Sequence, residues 1–135
     1  MIPAGYSELR SAFFDHVRIA NTCLCRSQNL LLFYSLECGL KSIYLKRNKI
    51  NRTDRINNKE LQKTHDLSLL IKDLKISATT IGTLSLNFRL KRDCMTFSIK
   101  SAHEIWRYGI MIQDNDEKAL VTWMQAIRKW IEENI

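Results

Sequence analysis

The sequence predicts a mainly α fold: an antiparallel bundle of four or five helices with a small β-hairpin inserted around residues 84–99. Three observations predict it. Only four glycines and one proline stand among 135 residues, which argues for long helices and few turns. Apolar residues recur at steps of three and four over most of the chain, the spacing that lines one face of a helix. In one region alone, from Leu84 to Ile99, the period switches to the two of a strand. The length suits one domain with a substantial core.

A first helix is expected from Tyr6 to Cys25, because Phe13, Val17, Ala20 and Leu24 make one stripe. Ser27 reads as the N-cap of a second helix, Gln28 to Arg47, with Leu32, Leu36, Leu40, Ile43 and Tyr44 on one face. Glu37 and Lys41 have the i,i+4 spacing of an ion pair on that helix. The polar stretch NKINRTDRINNKE reads as a loop. Thr64 is expected to cap a short helix, HDLSLLIKDLK, with Leu67, Leu70, Ile71 and Leu74 turned inward. His65 and Asp66 read as a capping pair there, with Asp66 complementing the helix dipole.

Leu84, Leu86, Phe88 and Leu90 then alternate, KRDC intervenes, and Met95, Phe97 and Ile99 alternate again. That pattern reads as a hairpin resting on the bundle, with a kinked helix as the alternative. SAHEIWRY returns to helix, and Gly109 stops it as a left-handed C′ residue. The last helix, DNDEKALVTWMQAIRKWIEENI, opens on an Asp/Asn cap with acids in its first turn. Its inner face is Leu120, Trp123, Ile127, Trp130 and Ile131.

The formal charge of +7 is uneven. Between Lys41 and Lys63 lie eight bases (Lys41, Lys46, Arg47, Lys49, Arg52, Arg55, Lys59, Lys63) against two acids, Asp54 and Glu60. A cluster of this kind at one helix end is the footprint of a polyanion contact; the other reading is a solvated loop that confers solubility. No stretch approaches the roughly 18–20 apolar residues of a membrane span, since NLLLFYSLECGLKSIYL is broken by Glu37 and Lys41. MIPAGYSELR lacks the basic-then-apolar order of a signal peptide. The expectation is a cytoplasmic protein without membrane contact. Cys23 and Cys25 diverge on a helix, so the four cysteines read as reduced, mostly buried thiols, with no metal site and no cofactor. Glycine-rich phosphate loops, G-x-S-x-G and H-E-x-x-H are absent from the sequence.

The stretch SAHEIWRYGI gathers the residues most suggestive of chemistry. His103 and Arg107 are i,i+4 and share one helical face. An RNA-cleaving site needs a proton carrier near neutral pKa, which suits histidine, and a fixed cation on the phosphate, which suits arginine. Trp106 and Tyr108 are suited to stacking on bases. The plainer reading puts Ile105 and Trp106 in the core, Arg107 against an acid such as Glu37, and His103 half-buried beside them.

Taken in order, LECGLKSIYL, the basic loop, THDLSLL and AHEIWRYG resemble the HEPN family (higher-eukaryote and prokaryote nucleotide-binding domains) over roughly Gln28 to Ile135. The best-matched residues are Lys41, Thr64 to Leu67, and Arg107 with Tyr108. The resemblance implies a helical bundle, commonly a homodimer, of a prokaryotic antiviral defence or toxin–antitoxin system. It implies RNA or a nucleotide as ligand and a larger effector or antitoxin as partner protein. Many members are metal-independent endoribonucleases whose arginine is followed four to six residues later by histidine, the site forming across a dimer. This chain departs from that pattern. Asp116 to Ile135 holds Arg128 and no histidine, and only Arg10 to His16 has the spacing, in the first helix.

The expectation is therefore RNA or nucleotide binding through Lys41, Lys46, Arg47, Lys49, Arg52, Arg55, Trp106 and Tyr108, with Glu37, Thr64, His65 and Asp66 structural. The alternatives are an endoribonuclease using His103 and Arg107, and a pure interaction subunit that docks through its Trp-bearing last helix.

Overall fold

The computed structural model describes residues 2–22, 25–83 and 87–135. Three long helices organise it: α1 (Tyr6–Thr22), α2 (Ser27–Arg47) and α7 (Asp114–Asn134). Four short ones lie between α2 and α7 in the chain, namely α3 (Lys59–Lys63), α4 (Leu67–Asp73), α5 (Ala78–Ile81) and α6 (Ala102–Arg107). The fold is mainly helical, as expected, but it is three long helices with short satellites rather than four or five comparable ones. Among the described residues no helix is long and apolar enough to cross a membrane.

The α1 stripe is Leu9, Phe13, Val17 and Ala20, all buried. The described part of the helix reaches Thr22, Cys23 and Leu24 lie outside the described residues, and Cys25, the expected last residue, is not helical. Cys25 and Cys94 are exposed and Cys38 is half-buried, so the expectation of mostly buried thiols is wrong for both exposed residues.

Helix α2 departs from its expected single face. It packs against α1, α4, α6 and α7, and residues all round it are buried, from Leu32 through Leu45. A helix covered on every side must satisfy its polar groups internally. It does so: Ser35 donates to Leu32 O at 2.6 Å, Ser42 to Tyr6 O at 3.2 Å, and Lys41 to Glu37 Oε1 at 2.8 Å. Gly39 marks the tightest crossing. A Cβ there would stand 2.8 Å from both Phe13 Cδ1 and Ile131 Cγ2, so only glycine lets α1, α2 and α7 close together. Ser27 does not cap α2 but lies inside it; the preceding Arg26 provides no side-chain cap.

The stretch expected to be loop is largely ordered by backbone bonds. A 3-10 turn, Thr53–Arg55, is anchored by buried Thr53, which exchanges bonds with Ala4 (N–H to Ala4 O 2.9 Å; Ala4 N–H to Oγ1 3.1 Å). Asn58 then caps α3. Thr64 is not the cap of the next helix. Asp66 caps α4 by accepting the Ser68 N–H, while Thr64 Oγ1 accepts the Asp66 N–H at 2.9 Å. His65 takes no part in capping. Leu67, Leu70, Ile71 and Leu74 are buried as expected. Ser77 caps the single turn α5, which packs on α7.

The hairpin exists but is far shorter than residues 84–99. Strands β1 (Phe88–Arg89) and β2 (Thr96–Phe97) pair antiparallel, Phe88 opposite Phe97 and Arg89 opposite Thr96. Leu84 and Leu86 lie outside the described residues, and Ile99 opens a 3-10 turn instead of ending a strand. The hairpin rests on the bundle through buried Phe88 and Leu90. Asp116, in the first turn of α7, holds its outer edge by accepting from the Arg89 backbone N–H (2.9 Å) and guanidinium. Gln113 occupies the N-cap position of α7 without a side-chain cap, so the expected Asp/Asn cap is a first-turn acidic cluster. Gly109, at φ 71, ends α6 as expected. In α7, Trp123 is buried, and the half-buried Trp130 lies beneath the Arg47 guanidinium.

Candidate functional site

The sequence-predicted bases separate into two groups. Lys41 is 9% exposed and ion-paired to Glu37, so it belongs to the interior. Arg47 stacks over Trp130 and donates to Leu74 O at 3.3 Å, and Lys46 sits over the Tyr6 ring. Lys49, Arg52 and Arg55 are exposed and line one open cleft of about 560 Å³ together with Ile50 and Asn51. Arg52 is held by a two-point contact with Asp54, at 3.1 and 2.8 Å. Lys49 and Arg55 have no acid partner among the described residues.

Local folding fixes these three side chains. Helix α2 ends with Lys49 at φ 54, its N–H on Lys46 O (3.3 Å) and the Ile50 N–H on Leu45 O (2.9 Å). That is the paired-bond helix ending usually built with glycine. Arg52 then pairs as a β-bridge with Gly5, and Thr53 anchors the turn that carries Arg55.

A second constellation joins residues that are distant in sequence. Glu37, its side chain 11% exposed, accepts from Lys41 Nζ at 2.8 Å on one oxygen and faces His65 Nδ1 at 3.1 Å on the other. A carboxylate only accepts, so His65 Nδ1 carries the proton and Nε2 is left for another partner. The His65 ring lies 4.7 Å from that of His103, which is itself stacked on Phe33 at 5.7 Å. Burial, and to a lesser extent repulsion from the neighbouring His65, holds the His103 imidazole below its ordinary pKa. Its Nδ1 is enclosed without a partner among the described residues, which is tolerable for a bare acceptor and costly for an N–H, so the neutral ring carries its proton on Nε2.

His103 and Arg107 differ in exposure. His103 is buried, whereas Arg107 is exposed and folds onto Tyr108, 5.0 Å above the ring with a 3.3 Å bond to its hydroxyl. Trp106 is buried against Phe33, while Tyr108 is exposed. Of the two aromatic residues expected to stack on bases, only Tyr108 is accessible. Glu37 pairs with Lys41 and His65, not with Arg107.

Two cavities flank the Glu37–His65 contact. One, of about 660 Å³, opens between α1, α2 and the 53–65 segment; the other, of about 550 Å³, lies between α3 and α6. Lys63 and His65 line both. Sequence reasoning missed Tyr34, Gln62 and Lys63 as cavity residues. Burial of Cys38, aided by the Glu37 charge, pushes the thiol up to about 11, so it stays protonated at neutral pH. No protein-family model, curated protein or solved structure matches this chain.

Proposed function

We propose that this chain is a HEPN-like helical protein that binds RNA or a nucleotide through phosphates, and that it binds without cleaving. The observation that carries the reading is the convergence of Lys49, Arg52 and Arg55 on one open cleft. Three cations with one neighbouring acid, set on a backbone held to the N-terminal segment, are suited to successive phosphates of a flexible polyanion. Arginine's fork adds two-point recognition of each phosphate. Further support comes from the motif fragments behind the family resemblance: Glu37 with Lys41, His65 and His103 form one contact chain although they come from three segments far apart in sequence.

The preference for binding rests on two facts. Arg107 folds onto Tyr108 in solvent, and His103 is buried against Phe33 and His65, so the cation and the proton carrier are not presented together to a phosphate. The test is fluorescence anisotropy with a labelled single-stranded RNA on the protein and its Lys49→Gln/Arg52→Gln/Arg55→Gln variant. Lys72→Gln/Lys129→Gln, at exposed positions elsewhere, serves as the control. Loss confined to the first variant supports the reading; equal loss in both reduces the binding to net charge and overturns it.

A further inference from the structure

The 660 Å³ cavity beside the Glu37–His65 contact has the make-up of a small-ligand site: apolar walls with a few convergent polar groups. Leu9, Ala4 and the half-buried Tyr34 supply the walls. Three of the polar groups, Gln62, Lys41 and His65, are held in place by hydrogen bonds. Gln62, only 4% exposed, has its amide nitrogen tied to Thr53 O at 3.1 Å, while its carbonyl oxygen accepts no hydrogen bond among the described residues. Lys41 is 9% exposed and spends one of its three donors on Glu37. His65, oriented by Glu37, and the exposed Lys63 stand where this cavity meets the next.

Lys41 and Lys63 outnumber the single acid, Glu37, before either histidine of the lining, His16 or His65, is protonated. The cavity therefore favours an anion with a flat, partly apolar body. The neighbouring cleft does not share that bias, since Lys59, Lys63 and Lys100 face Glu60, Asp66 and Glu104 there.

We infer that this cavity binds a single nucleotide, with the base between Tyr34 and Leu9 and its edge on the Gln62 carbonyl, and the phosphate at Lys63, His65 and the spare donors of Lys41. A base stacks on an aromatic ring whatever its identity, and a clamped carboxamide is suited to an exocyclic amino group. The ligand class rests on the phosphate-binding reading above, but the site is separate from the Lys49–Arg55 cleft. The source is a free nucleotide or the terminal nucleotide of an RNA, and both carry this chemistry.

Calorimetry at low salt tests it with the four ribonucleoside 5′-monophosphates, adenosine and inorganic phosphate. At least one amino-bearing monophosphate is expected to bind ten-fold or more tighter than either adenosine or phosphate. Lys63→Ala should remove that advantage and leave adenosine binding unchanged, and Tyr34→Ala should weaken both. The Lys49→Gln/Arg52→Gln/Arg55→Gln variant should keep full nucleotide affinity, which separates this site from the phosphate-cleft reading. In the unmutated protein the same monophosphate should slow alkylation of Cys38, which lines the cavity, followed by peptide mass mapping, while inorganic phosphate should not. If only the 5′-phosphorylated end of a short RNA gives this protection, the source is RNA and the site stands. Monophosphates that bind no better than phosphate, with Cys38 unprotected by nucleotide or RNA end, overturn it. So does binding lost only in the cleft variant.

Discussion

Lys49 occupies a backbone position that ordinarily belongs to glycine, and replacing it separates stability from binding. At φ 54 its Cβ crowds the following carbonyl, which costs a non-glycine residue roughly 1–2 kcal/mol. Glycine returns about 0.5–1 kcal/mol of that through its larger freedom in the unfolded chain. Lys49→Gly is therefore expected to stabilise the fold by about 0.5–1 kcal/mol. With an unfolding entropy of about 2.1 cal/mol/K per residue, a chain of 135 residues gains about 3.5 °C for each kcal/mol, so the melt should rise by about 2–4 °C.

Lys75 is a matched control. It closes α4 in the same way, at φ 56, with its N–H on Lys72 O and the Ile76 N–H on Ile71 O, both at 3.1 Å. Lys75→Gly should give the same rise. The two should differ in RNA affinity by anisotropy: Lys49→Gly loses a phosphate contact and weakens binding several-fold, while Lys75→Gly does not. A Lys49→Gly protein that melts lower, or one that melts higher and binds RNA as before, refutes the reasoning.

Other consequences follow from the interior. Glu37→Ala strands the 9%-exposed Lys41 ammonium without its partner, and loss of one member of a buried pair costs about 3–5 kcal/mol; urea midpoints measure it. Gly39→Ala gains about 1 kcal/mol of helix propensity but drives a methyl group to 2.8 Å from Phe13 and Ile131. Overpacking of about 1–3 kcal/mol should win, and calorimetric melting should show a net loss. His103 has a folded pKa below its ordinary 6.5, so the unfolded chain takes up the proton first as pH falls. Its contribution is complete above pH 6.5 and declines as the pH drops from there toward the folded value. Comparing chemical denaturation at pH about 7.5 and about 5.5, His103→Phe should flatten the loss relative to the unmutated protein.

Local patterning explains what the sequence made legible. The α1 stripe, the inward leucines of α4, the Gly109 stop and the inner face of α7 follow from spacing alone. A linear pattern gives α2 a single buried face because Ser35, Glu37, Lys41 and Ser42 look solvent-bound; each finds its partner inside the protein. Helices α3 and α5, of five and four residues, are too short to show a period. Their caps, Asn58 and Ser77, were the readable signals. The basic cluster was visible in composition, but which bases remain available was not. Only packing shows that Lys41 turns inward and Arg47 lies on Trp130. The Glu37–His65 contact spans 28 residues and had no local signature.

The most direct test of phosphate binding at the Lys49–Arg52–Arg55 cleft is the salt dependence of affinity for a labelled single-stranded RNA. Each phosphate neutralised on a single strand contributes about 0.7 to the slope of log K against log salt. Replacing all three bases by glutamine should reduce the magnitude of that slope by about 2 and leave a far weaker complex. A slope unchanged by the three substitutions would place the RNA elsewhere on the protein and contradict the account.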